Sequence, residues 1–445
     1  MRSLLHNKWF KFGFWAVLYI LWVVWLGNYW WLIGLAVIFD LFITKKVKWA
    51  FWKKSYKEGE KHNVFLDWLD AIIFAVLVIT PVNIFLIQAF RIPSSSMERT
   101  LMTGDYLFVS KLAYGPKLPQ RPLSVPFVHN TIFGGKSYSD LIKRPYRRLA
   151  GFSQVQRNDI VVFGFPHGDS VLKQAPMDDY YTHVRFNGKE FSERMFGPVV
   201  VRPVDKKDNY VKRCVAVAGD TIAIVGGKVF VNGIPQKYFP GIQDAYTVIT
   251  DGSSINPRTL GDLGISLRDC RFDSALPGYR SMPMDSITAA RMAAIANVRT
   301  VSKNVDVYDP GFPESYLMIF PFDGNYRWTQ DNFGPLYVPA KGDTVALDLK
   351  SLPLYRRIIS VYEGHSLEVK DSVIYVDGRI ADSYVFGQDY YFMMGDNRHN
   401  SLDSRYWGFV PEDHIVGKPC LIWFSTDKEK PFPRNIRWNR LFKLV

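Results

Sequence analysis

The sequence predicts a mainly β domain of antiparallel sheets, anchored by transmembrane helices at its N-terminal end. Two observations lead to this prediction. Long apolar runs lie before residue 91, whereas the apolar segments after residue 100 are short, rich in Val, Ile, Tyr and Phe, and bounded by Gly, Asp, Asn or Pro. With 445 residues, 48% of them hydrophobic, the chain has enough apolar side chains for membrane segments and a core.

The first element is an apolar run from Phe12 to Ile43, in which Asn28 and Asp40 are the strongly polar residues. As a single helix, this run would be roughly 48 Å long. The hydrocarbon core of a bilayer is only about 30 Å thick. The run therefore predicts two short helices that turn near Gly27 and Asn28, with one long tilted helix as the alternative.

A second span is predicted from Leu69 to Phe90, with a kink at Pro81. The loop before it, residues 45–62, holds seven Lys and two Glu, and the first eleven residues hold three basic side chains. The positive-inside rule places both flanks in the cytoplasm, which requires an even number of crossings between them. We therefore expect a multi-pass protein of the cytoplasmic (inner) membrane, with everything after Phe90 on the extracytoplasmic face.

The net charge of +13 is unevenly distributed along the chain. Residues 1–62 contribute +7 and residues 426–445 contribute +4, which leaves +2 for the long middle part. Basic side chains thus flank the membrane segments and do not line a groove, so nucleic acid is not an expected partner. The basic aromatic tail IRWNRLFKLV, residues 436–445, is expected either to lie on phospholipid headgroups or to be solvated.

Strand signals are clearest in four segments of the outer part, DYLFVSKLAY (105–114), NDIVVFGF (158–165), GDTIAIVGGKVFVNG (219–233) and GDTVALDL (342–349). One helix is predicted in the same region, SITAARMAAIANV (286–298), with Ser286 or Asp285 as its N-cap.

An internal repeat links two β-rich stretches, YVKRCVAVAGDTIAIVGGKVFVNG from Tyr210 and YRRIISVYEGHSLEVKDSVIYVDG from Tyr355, at an offset of 145. The repeat predicts two similar hairpins, each preceded by a strand. Where the first stretch has Lys212, the second has the arginine pair 356–357, and a guanidinium does not deprotonate in proteins.

Composition and repeat together divide the chain into six parts. These are a membrane hairpin with a basic cytoplasmic loop (1–64), a transmembrane helix (65–91), the first part of the β core (92–233), an inserted subdomain or set of loops (234–338), the second part of the β core (339–425) and the basic aromatic tail (426–445).

The sequence carries no signature of metal or cofactor chemistry. Cys214, Cys270 and Cys420 are far apart and lack the paired spacing of metal sites, so at most one disulfide is possible. Walker-type loops, dinucleotide-binding glycine fingerprints and HExxH helices do not occur. We expect neither a metal nor a cofactor.

A cluster of hydroxyl groups follows the second span, in IPSSSMERTL (92–101). Ser96 lies six residues beyond Phe90, so an extended chain holds it within roughly 20 Å of the predicted span. A serine hydroxyl needs a base to act as a nucleophile. The sequence offers His399 and Lys212, the latter among apolar neighbours that favour a neutral amine. From the residues alone, Ser94, Ser95 and Ser96 all remain candidates.

Four motifs resemble the successive sequence boxes of bacterial type I signal peptidases, the membrane serine proteases with a Ser/Lys dyad. The motifs are IPSSSMERTL, GDYLFVSKLAYG, YVKRCVAVAGD and, most specifically, GDNRHNSLDSRYWGFVP. The resemblance covers roughly residues 65–114, 155–233 and 340–420, and it implies a signal-peptidase-like β fold.

The resemblance implies a role for each matching residue. It makes Ser96 the nucleophile, Lys212 the general base, Ser94 a donor to the oxyanion together with the Ser96 N–H, and Ser401 the serine that orients the lysine amine. Asp403 and Arg405 would brace the loop below the site, and Gly395, Asp396 and Asn397 would form the turn that carries it.

The same resemblance implies shallow apolar pockets that accept Ala, Gly or Ser before the cleaved bond. The corresponding residues are Phe90, Ile92, Met97, Leu101, Leu107, Tyr210 and Val211. Ordinary core packing is the alternative for some of them.

Three positions depart from the family pattern. Ser95 stands where a glycine is usual, Arg99 where a proline is usual, and Val217-Ala218 where Leu-Pro is usual. None of these changes removes an implied catalytic group.

The expected function is removal of signal peptides from exported preproteins by a membrane-bound serine endopeptidase, with membrane phospholipid and the translocation machinery as further partners. The alternative is a catalytically silent, membrane-tethered β protein that binds signal sequences or other partners. A penicillin-type acyl enzyme is disfavoured because it needs a lysine three residues after its serine, and the three serines have Met97, Glu98 and Arg99 at that position.

Overall fold

The computed structural model describes residues 7–47, 49, 64–126, 128–237, 239–272, 277–312, 316–428 and 430–445. The predicted basic loop, residues 45–62, lies almost entirely outside this part of the chain. All three cysteines are free thiols.

The N-terminal apolar run folds as the predicted hairpin. A helix from Lys8–Leu26 ends at Gly27, whose positive φ of 64° is the left-handed conformation that glycine adopts without strain. The chain then returns through a short 3₁₀ turn and two further helical segments, Tyr29–Ile33, Gly34–Phe39 and Asp40–Thr44. The Phe12 and Phe39 rings pack edge to face with centroids 5.4 Å apart.

The second span is helical from Val64 to Leu86, in the segments Val64–Phe74, Ala75–Ile79 and Val82–Leu86. Pro81 lies between two widened π-helical turns, which accommodate its missing N–H. The predicted end at Phe90 is wrong, because Ile87–Arg91 forms a strand paired with Asp105–Ser110. The pairing satisfies the backbone groups on one side of this strand, and its other side is an edge of the sheet.

The two apolar helices meet each other and the outer domain at one end. Trp22 and Trp25 of the first helix approach the Phe85 ring of the second, with centroids 6.1 and 6.3 Å apart. The indole of Trp25 donates to the Ala150 carbonyl at 2.9 Å, and Arg147 donates to the Leu26 carbonyl at 3.1 Å. The C-terminal ends of both helices therefore lie beside the outer domain.

One antiparallel sheet, the central sheet, organises the outer domain. Its strands, from one edge to the other, are Ile87–Arg91, Asp105–Ser110, Ile415–Ser425, Ile160–Gly164, Asn209–Ala216, Tyr390–Met394 and Val410–Pro411, with Lys443–Leu444 added to Ile415–Ser425. The sheet thus joins segments that are more than 300 residues apart in sequence, and Ile87–Arg91 is its edge strand.

Smaller sheets surround the central sheet. They are a four-stranded sheet (Ile234–Pro235, Lys228–Val231, Thr221–Val225, Phe333–Tyr337), a three-stranded sheet (Leu367–Lys370, Val373–Val376, Arg379–Ile380) and three pairs (Thr344–Ala346 with Ser383–Val385, Thr131–Ile132 with Gly135–Lys136, Ser170–Leu172 with Val199–Val201). Outside residues 234–338, the helical segments of the outer domain that the structure describes are Tyr180–Asn187, Lys189–Phe196, Val204–Lys206, Leu352–Arg357, Ile358–Tyr362, Ser404–Trp407, Glu412–His414 and Trp438–Arg440.

The repeat holds for its hairpins and fails for the segments before them. The three short strands from Thr221 to Pro235 match those from Leu367 to Ile380 at the offset of 145. However, Asn209–Ala216 is a strand, whereas the corresponding residues 354–361 lie in the helical stretch 352–362. This stretch is helical because Leu352, Tyr355, Ile358 and Ile359 present one apolar face to the core. The residue of the second copy that matches Lys212 at the offset of 145 is Arg357. Its side chain pairs with Asp169 at 2.5 Å.

Residues 244–303, called the inserted subdomain below, form a sheet and a core of their own. The sheet contains Arg271–Phe272, Gly278–Met284, Asp244–Thr250 and Val298–Lys303, and it packs on the helices Pro257–Asp262 and Ser286–Ala293, with the 3₁₀ turn Leu267–Asp269 beside them. The predicted helix is present and is capped by Asp285, which accepts a hydrogen bond from the Thr288 N–H. It ends at Ala293, earlier than predicted, because Val298 already belongs to a strand.

Candidate active site

Ser96 and Lys212 meet although they are 116 positions apart in sequence. Ser96 lies in the serine loop, residues 92–104, which connects the edge strand to Asp105–Ser110. Lys212 lies on the central-sheet strand Asn209–Ala216, opposite Val161. The Lys212 Nζ donates a hydrogen bond to the Ser96 Oγ at 2.5 Å, and both side chains are buried.

Burial changes the protonation of Lys212. Removal from water lowers the pKa of its amine to about 8, against the opposing attraction of the Asp403 and Asp396 carboxylates. A large fraction of the amine is then neutral near pH 8, so Lys212 can accept a proton from Ser96.

The three adjacent serines have different partners. The Ser95 Oγ donates to Asp269 Oδ1 at 2.9 Å and accepts from Asn400 at 2.9 Å, so it faces the inserted subdomain. Ser94 is exposed, and its Oγ lies 3.5 Å from the Ser96 Oγ. Of the three hydroxyls, only that of Ser96 contacts the Lys212 amine.

Two donors lie beside the Ser96 hydroxyl. Within the described part of the chain, the Ser96 N–H donates no hydrogen bond, and the Ser94 hydroxyl contacts only Ser96 Oγ. Unused donors next to a nucleophile are what an oxyanion requires.

The turn at residues 395–397 holds the serine loop. The Asn397 N–H donates to the Ser96 carbonyl at 3.0 Å, and its side-chain amide donates to the Ser95 carbonyl at 3.2 Å. A Cβ on Gly395 would lie 2.2 Å from Ser401 Oγ and 2.7 Å from the Ser96 carbonyl oxygen. Only glycine fits this contact.

Asp396 joins three parts of the site, and sequence reasoning missed its main partner. Arg213 donates to both carboxylate oxygens of Asp396, at 2.8 and 2.6 Å, and Thr100 of the serine loop donates at 2.6 Å. Arg213 follows Lys212 on the same strand, so its side chain points to the opposite face. The sequence signal for this partner was the basic residue Arg213 directly after Lys212, because neighbouring residues of a strand face opposite sides of the sheet.

Asp403 and Arg405 form a buried pair below the site. Arg405 donates to both oxygens of Asp403 at 2.9 Å and also to the Gln330 carbonyl at 3.2 Å. Burial alone would raise the pKa of Asp403, but the Arg405 guanidinium outweighs burial and the pKa is lowered overall. Asp403 is therefore a carboxylate, and it also accepts the Gly395 N–H at 3.1 Å.

Ser401 lies at the site, but it does not form the predicted contact with the Lys212 amine. Its hydroxyl is buried beside Gly395 and forms no hydrogen bond with any described residue, Lys212 included. Its role in orienting the amine stays a prediction.

The residues expected to line a substrate pocket divide into two groups. Ile92, Met97, Leu101 and Leu107 are at most 4% exposed and pack together, as the core-packing alternative requires. Phe90, Tyr210 and Val211 are only half-buried. These three are the members that a substrate can reach, and their contact with it stays a prediction.

His399 does not contact Ser96. Its Nδ1 accepts from the Ala245 N–H at 3.1 Å, and its Nε2 lies 2.9 Å from Asp331. Both ring nitrogens are thus occupied.

Two departures from the family pattern both contact the inserted subdomain. Ser95 bonds Asp269, and Arg99 pairs with Asp285 and donates to the Leu263 carbonyl at 2.9 Å. Neither a glycine nor a proline side chain could form these bonds.

The family model described as "Signal peptidase, peptidase S26" matches residues 65–259 and 380–424. The chain belongs to this family. It is 25% identical over 404 residues to the signal peptidase I of Haemophilus influenzae, a match that covers 88% of this chain and 80% of that protein. It is also 23% identical over 392 residues to the signal peptidase I of Helicobacter pylori strain 26695, covering 85% and 91%.

Membership identifies the chain as a serine endopeptidase of the signal peptidase type, with a mainly antiparallel β fold and signal peptides as its substrate class. Both matched ranges of the S26 model contribute to the constellation described above, since Ser96 and Lys212 lie in the first and Asp403 in the second. Most of the inserted subdomain, residues 260–303, lies outside them.

Proposed function

We propose that this S26 peptidase removes N-terminal signal peptides from translocated preproteins, with Ser96 as nucleophile and Lys212 as general base. The observation that carries the proposal is the 2.5 Å hydrogen bond between the buried Lys212 amine and the Ser96 hydroxyl. Residues 92–233 and 339–425 then form the catalytic core.

In the first step, neutral Lys212 takes the proton of Ser96 as its Oγ attacks the carbonyl carbon of the scissile peptide bond. The negative charge that develops on the carbonyl oxygen is stabilised by the Ser96 N–H and the Ser94 hydroxyl. The Lys212 ammonium then protonates the leaving amine of the mature protein. An ester joins Ser96 to the signal peptide.

In the second step, Lys212 takes a proton from water, which attacks the ester and releases the signal peptide with a free carboxylate. Lys212 returns the proton to Ser96. Among the described residues, the Ser401 hydroxyl has no hydrogen-bond partner. It would orient the Lys212 amine through a bridging water or after a small shift of its side chain.

The edge strand Ile87–Arg91 suits an extended substrate. It has a partner on one side only, so its other side can pair with the residues before the cleaved bond. Phe90, Tyr210 and Val211 would then limit the residue at the bond to Ala, Gly or Ser.

The membrane arrangement follows from the two apolar helices. The contact of Trp25 with Ala150 supports a position of the first helix's C-terminal end on the side of the outer domain. The basic residues 45–62 would then lie on the opposite face, which the positive-inside rule makes the cytoplasm. The enzyme is thus proposed as a multi-pass inner-membrane protein that acts on the extracytoplasmic face, where the translocation machinery delivers preproteins.

The C-terminal tail is proposed to contact phospholipid. Arg440 pairs with buried Asp105 at 2.5 Å, so the tail is held on the central sheet. Trp438, Phe442 and Leu444 nevertheless expose most of their surface, which suits side chains that rest among headgroups.

A cleavage assay on a preprotein with three variants tests the dyad. Ser96→Ala and Lys212→Arg should each reduce the rate by about a thousandfold or more, because one lacks the nucleophile and the other a group that can deprotonate. Ser95→Ala, which removes the neighbouring hydroxyl, is the matched control and should retain most activity. Unchanged cleavage in either dyad variant would refute the dyad assignment, whereas a folded parent protein that does not cleave would favour the silent-binder alternative.

A further inference from the structure

A cavity of about 300 Å³ lies where the second apolar helix meets the outer domain. Thr80 and Asn83 line it from the last turns of the helix, and Gln88 lines it from the edge strand. The opposite wall comes from the loop after Asp105–Ser110 and from the strand end at Asn209. The cavity therefore lies at the level where the second apolar helix would leave the membrane.

Positive charge predominates in this cavity. Among the described residues, its lining contains five Lys or Arg side chains and a single carboxylate, Asp205. The basic residues are Lys111, Lys117, Arg121, Lys206 and Lys207, and His129 also lines the wall.

Several of these groups have protein partners. The Lys117 amine donates to the Asp413 backbone carbonyl at 2.8 Å, and Arg121 pairs with Asp140 at 3.1 Å. Lys207 donates to the Pro166 carbonyl at 3.1 Å. One oxygen of Asp205 accepts the Arg121 backbone N–H, and the other has no partner.

The remaining lysines have weaker contacts. Lys206 lies over the Tyr138 ring, 5.5 Å from its centroid, and the His129 ring bonds the Lys207 carbonyl at 2.6 Å. Lys207 also pairs with Asp169 at 3.9 Å, so three carboxylates, Asp205, Asp140 and Asp169, face the five Lys and Arg side chains, and positive charge remains in excess.

Lys111 differs from the other cations. Its backbone N–H donates to the carbonyl of Leu86, the last helical residue, at 2.9 Å. Within the described part of the chain, its ammonium has neither a hydrogen bond nor an ion pair. Burial lowers the pKa of Lys111 to about 8, and burial and nearby cations including Lys111 lower the pKa of Lys117 to about 7. Lys111 is half-buried, and an anion beside its ammonium would lower the cost of holding that charge partly away from water.

We propose that this cavity binds a phosphate group of net negative charge, with Lys111 as its principal cation. Its position at the end of the apolar helix favours the headgroup of an anionic phospholipid, and free phosphate has the same chemistry. The occupied site would couple the second helix to the catalytic domain through Lys111, which already contacts both. This inference shares with the proposed function only the membrane position of the helix.

Thermal unfolding of the full-length Ser96→Ala protein in neutral detergent tests the site without reference to cleavage. The protein is titrated with short-chain phosphatidylglycerol, with short-chain phosphatidylcholine and with inorganic phosphate. A ligand that binds the folded state raises the unfolding midpoint. We expect phosphatidylglycerol to raise it and zwitterionic phosphatidylcholine not to do so.

Lys111→Gln should weaken phosphatidylglycerol binding about tenfold or more, the loss expected when one charge-assisted hydrogen bond is removed. Lys228→Gln removes an exposed lysine from a distant hairpin and should bind as the parent does. Lys111→Arg keeps the charge and should bind phosphatidylglycerol with an affinity similar to that of the parent protein. This variant tests the proposal even if Lys111→Gln does not fold.

Comparison of the three ligands distinguishes a lipid headgroup from free phosphate. A response to phosphatidylglycerol alone assigns the site to a lipid headgroup, and an equal response to inorganic phosphate assigns it to phosphate itself. Equal responses to both lipids, or an unchanged affinity in Lys111→Gln, would overturn the proposal.

Discussion

At the residue scale, the chemistry depends on one amine held away from water. Lys212 is buried on a central strand, and burial lowers its pKa to about 8 although Asp403 and Asp396 attract the proton. Arg357, the matching residue of the repeat, is held by Asp169 and cannot become neutral. The same local sequence pattern therefore supplies a base in one copy and a structural cation in the other.

The pKa of Lys212 predicts the pH dependence of cleavage. Only the neutral amine can accept the Ser96 proton, so kcat/KM should rise with pH and level off above about pH 8. Asp403→Asn removes a charge that raises this pKa, so its profile should shift to lower pH. The measurement is kcat/KM across the pH range for both proteins, with circular dichroism to confirm folding. A profile that falls from pH 6 to pH 9 would contradict the assignment.

At the element scale, the serine loop is held from two sides. Residues 395–397 bind its backbone, and the inserted subdomain binds the side chains of Ser95 and Arg99. Arg99 also has a positive φ of 68°, which costs a non-glycine residue free energy. The ion pair with Asp285 offsets that cost.

Arg99→Ala should lower the free energy of unfolding by about 2 kcal/mol, because the partly buried Asp285 loses its partner while the strained backbone remains. Arg99→Gly is the matched control. It loses the same side chain but relieves the strain, and it should be more stable than the alanine variant by about 1 kcal/mol. Denaturant unfolding measures both, and equal stabilities would refute the strain argument.

At the scale of the whole molecule, the chain folds so that one end of both apolar helices contacts the outer domain. The Trp25–Ala150 and Arg147–Leu26 hydrogen bonds and the edge strand after Leu86 provide these contacts. Ser96 lies ten residues beyond the helix instead of the predicted six, yet five of these residues are fixed in the sheet. The distance of Ser96 from the end of the helix is therefore set by the sheet.

Protease protection in membrane vesicles tests this arrangement. Tags at residue 1 and within residues 45–62 should both be accessible from the cytoplasmic face, and a tag after residue 445 should be accessible only from the other face. Tags at residue 1 and residues 45–62 on opposite faces would mean a single crossing in the first apolar run.

Features that depend on local pattern could be predicted from the amino-acid sequence alone. These are the turn at Gly27, the two hairpins of the repeat, the helix capped by Asp285 and the motifs that contain the Ser96 and Lys212 constellation. Each depends on residues close together in the chain, where spacing, capping and backbone preference act directly.

Three outcomes depend on long-range contacts: which serine meets Lys212, where the second helix ends, and the helical structure of residues 352–362. Ser96 is selected by Lys212, 116 positions away, and Ser95 is directed to Asp269, 174 positions away. The second helix ends where its next residues pair with Asp105–Ser110. These outcomes depend on partners that local propensity cannot specify, because burial and long-range pairing contribute more free energy than the preferences of single residues.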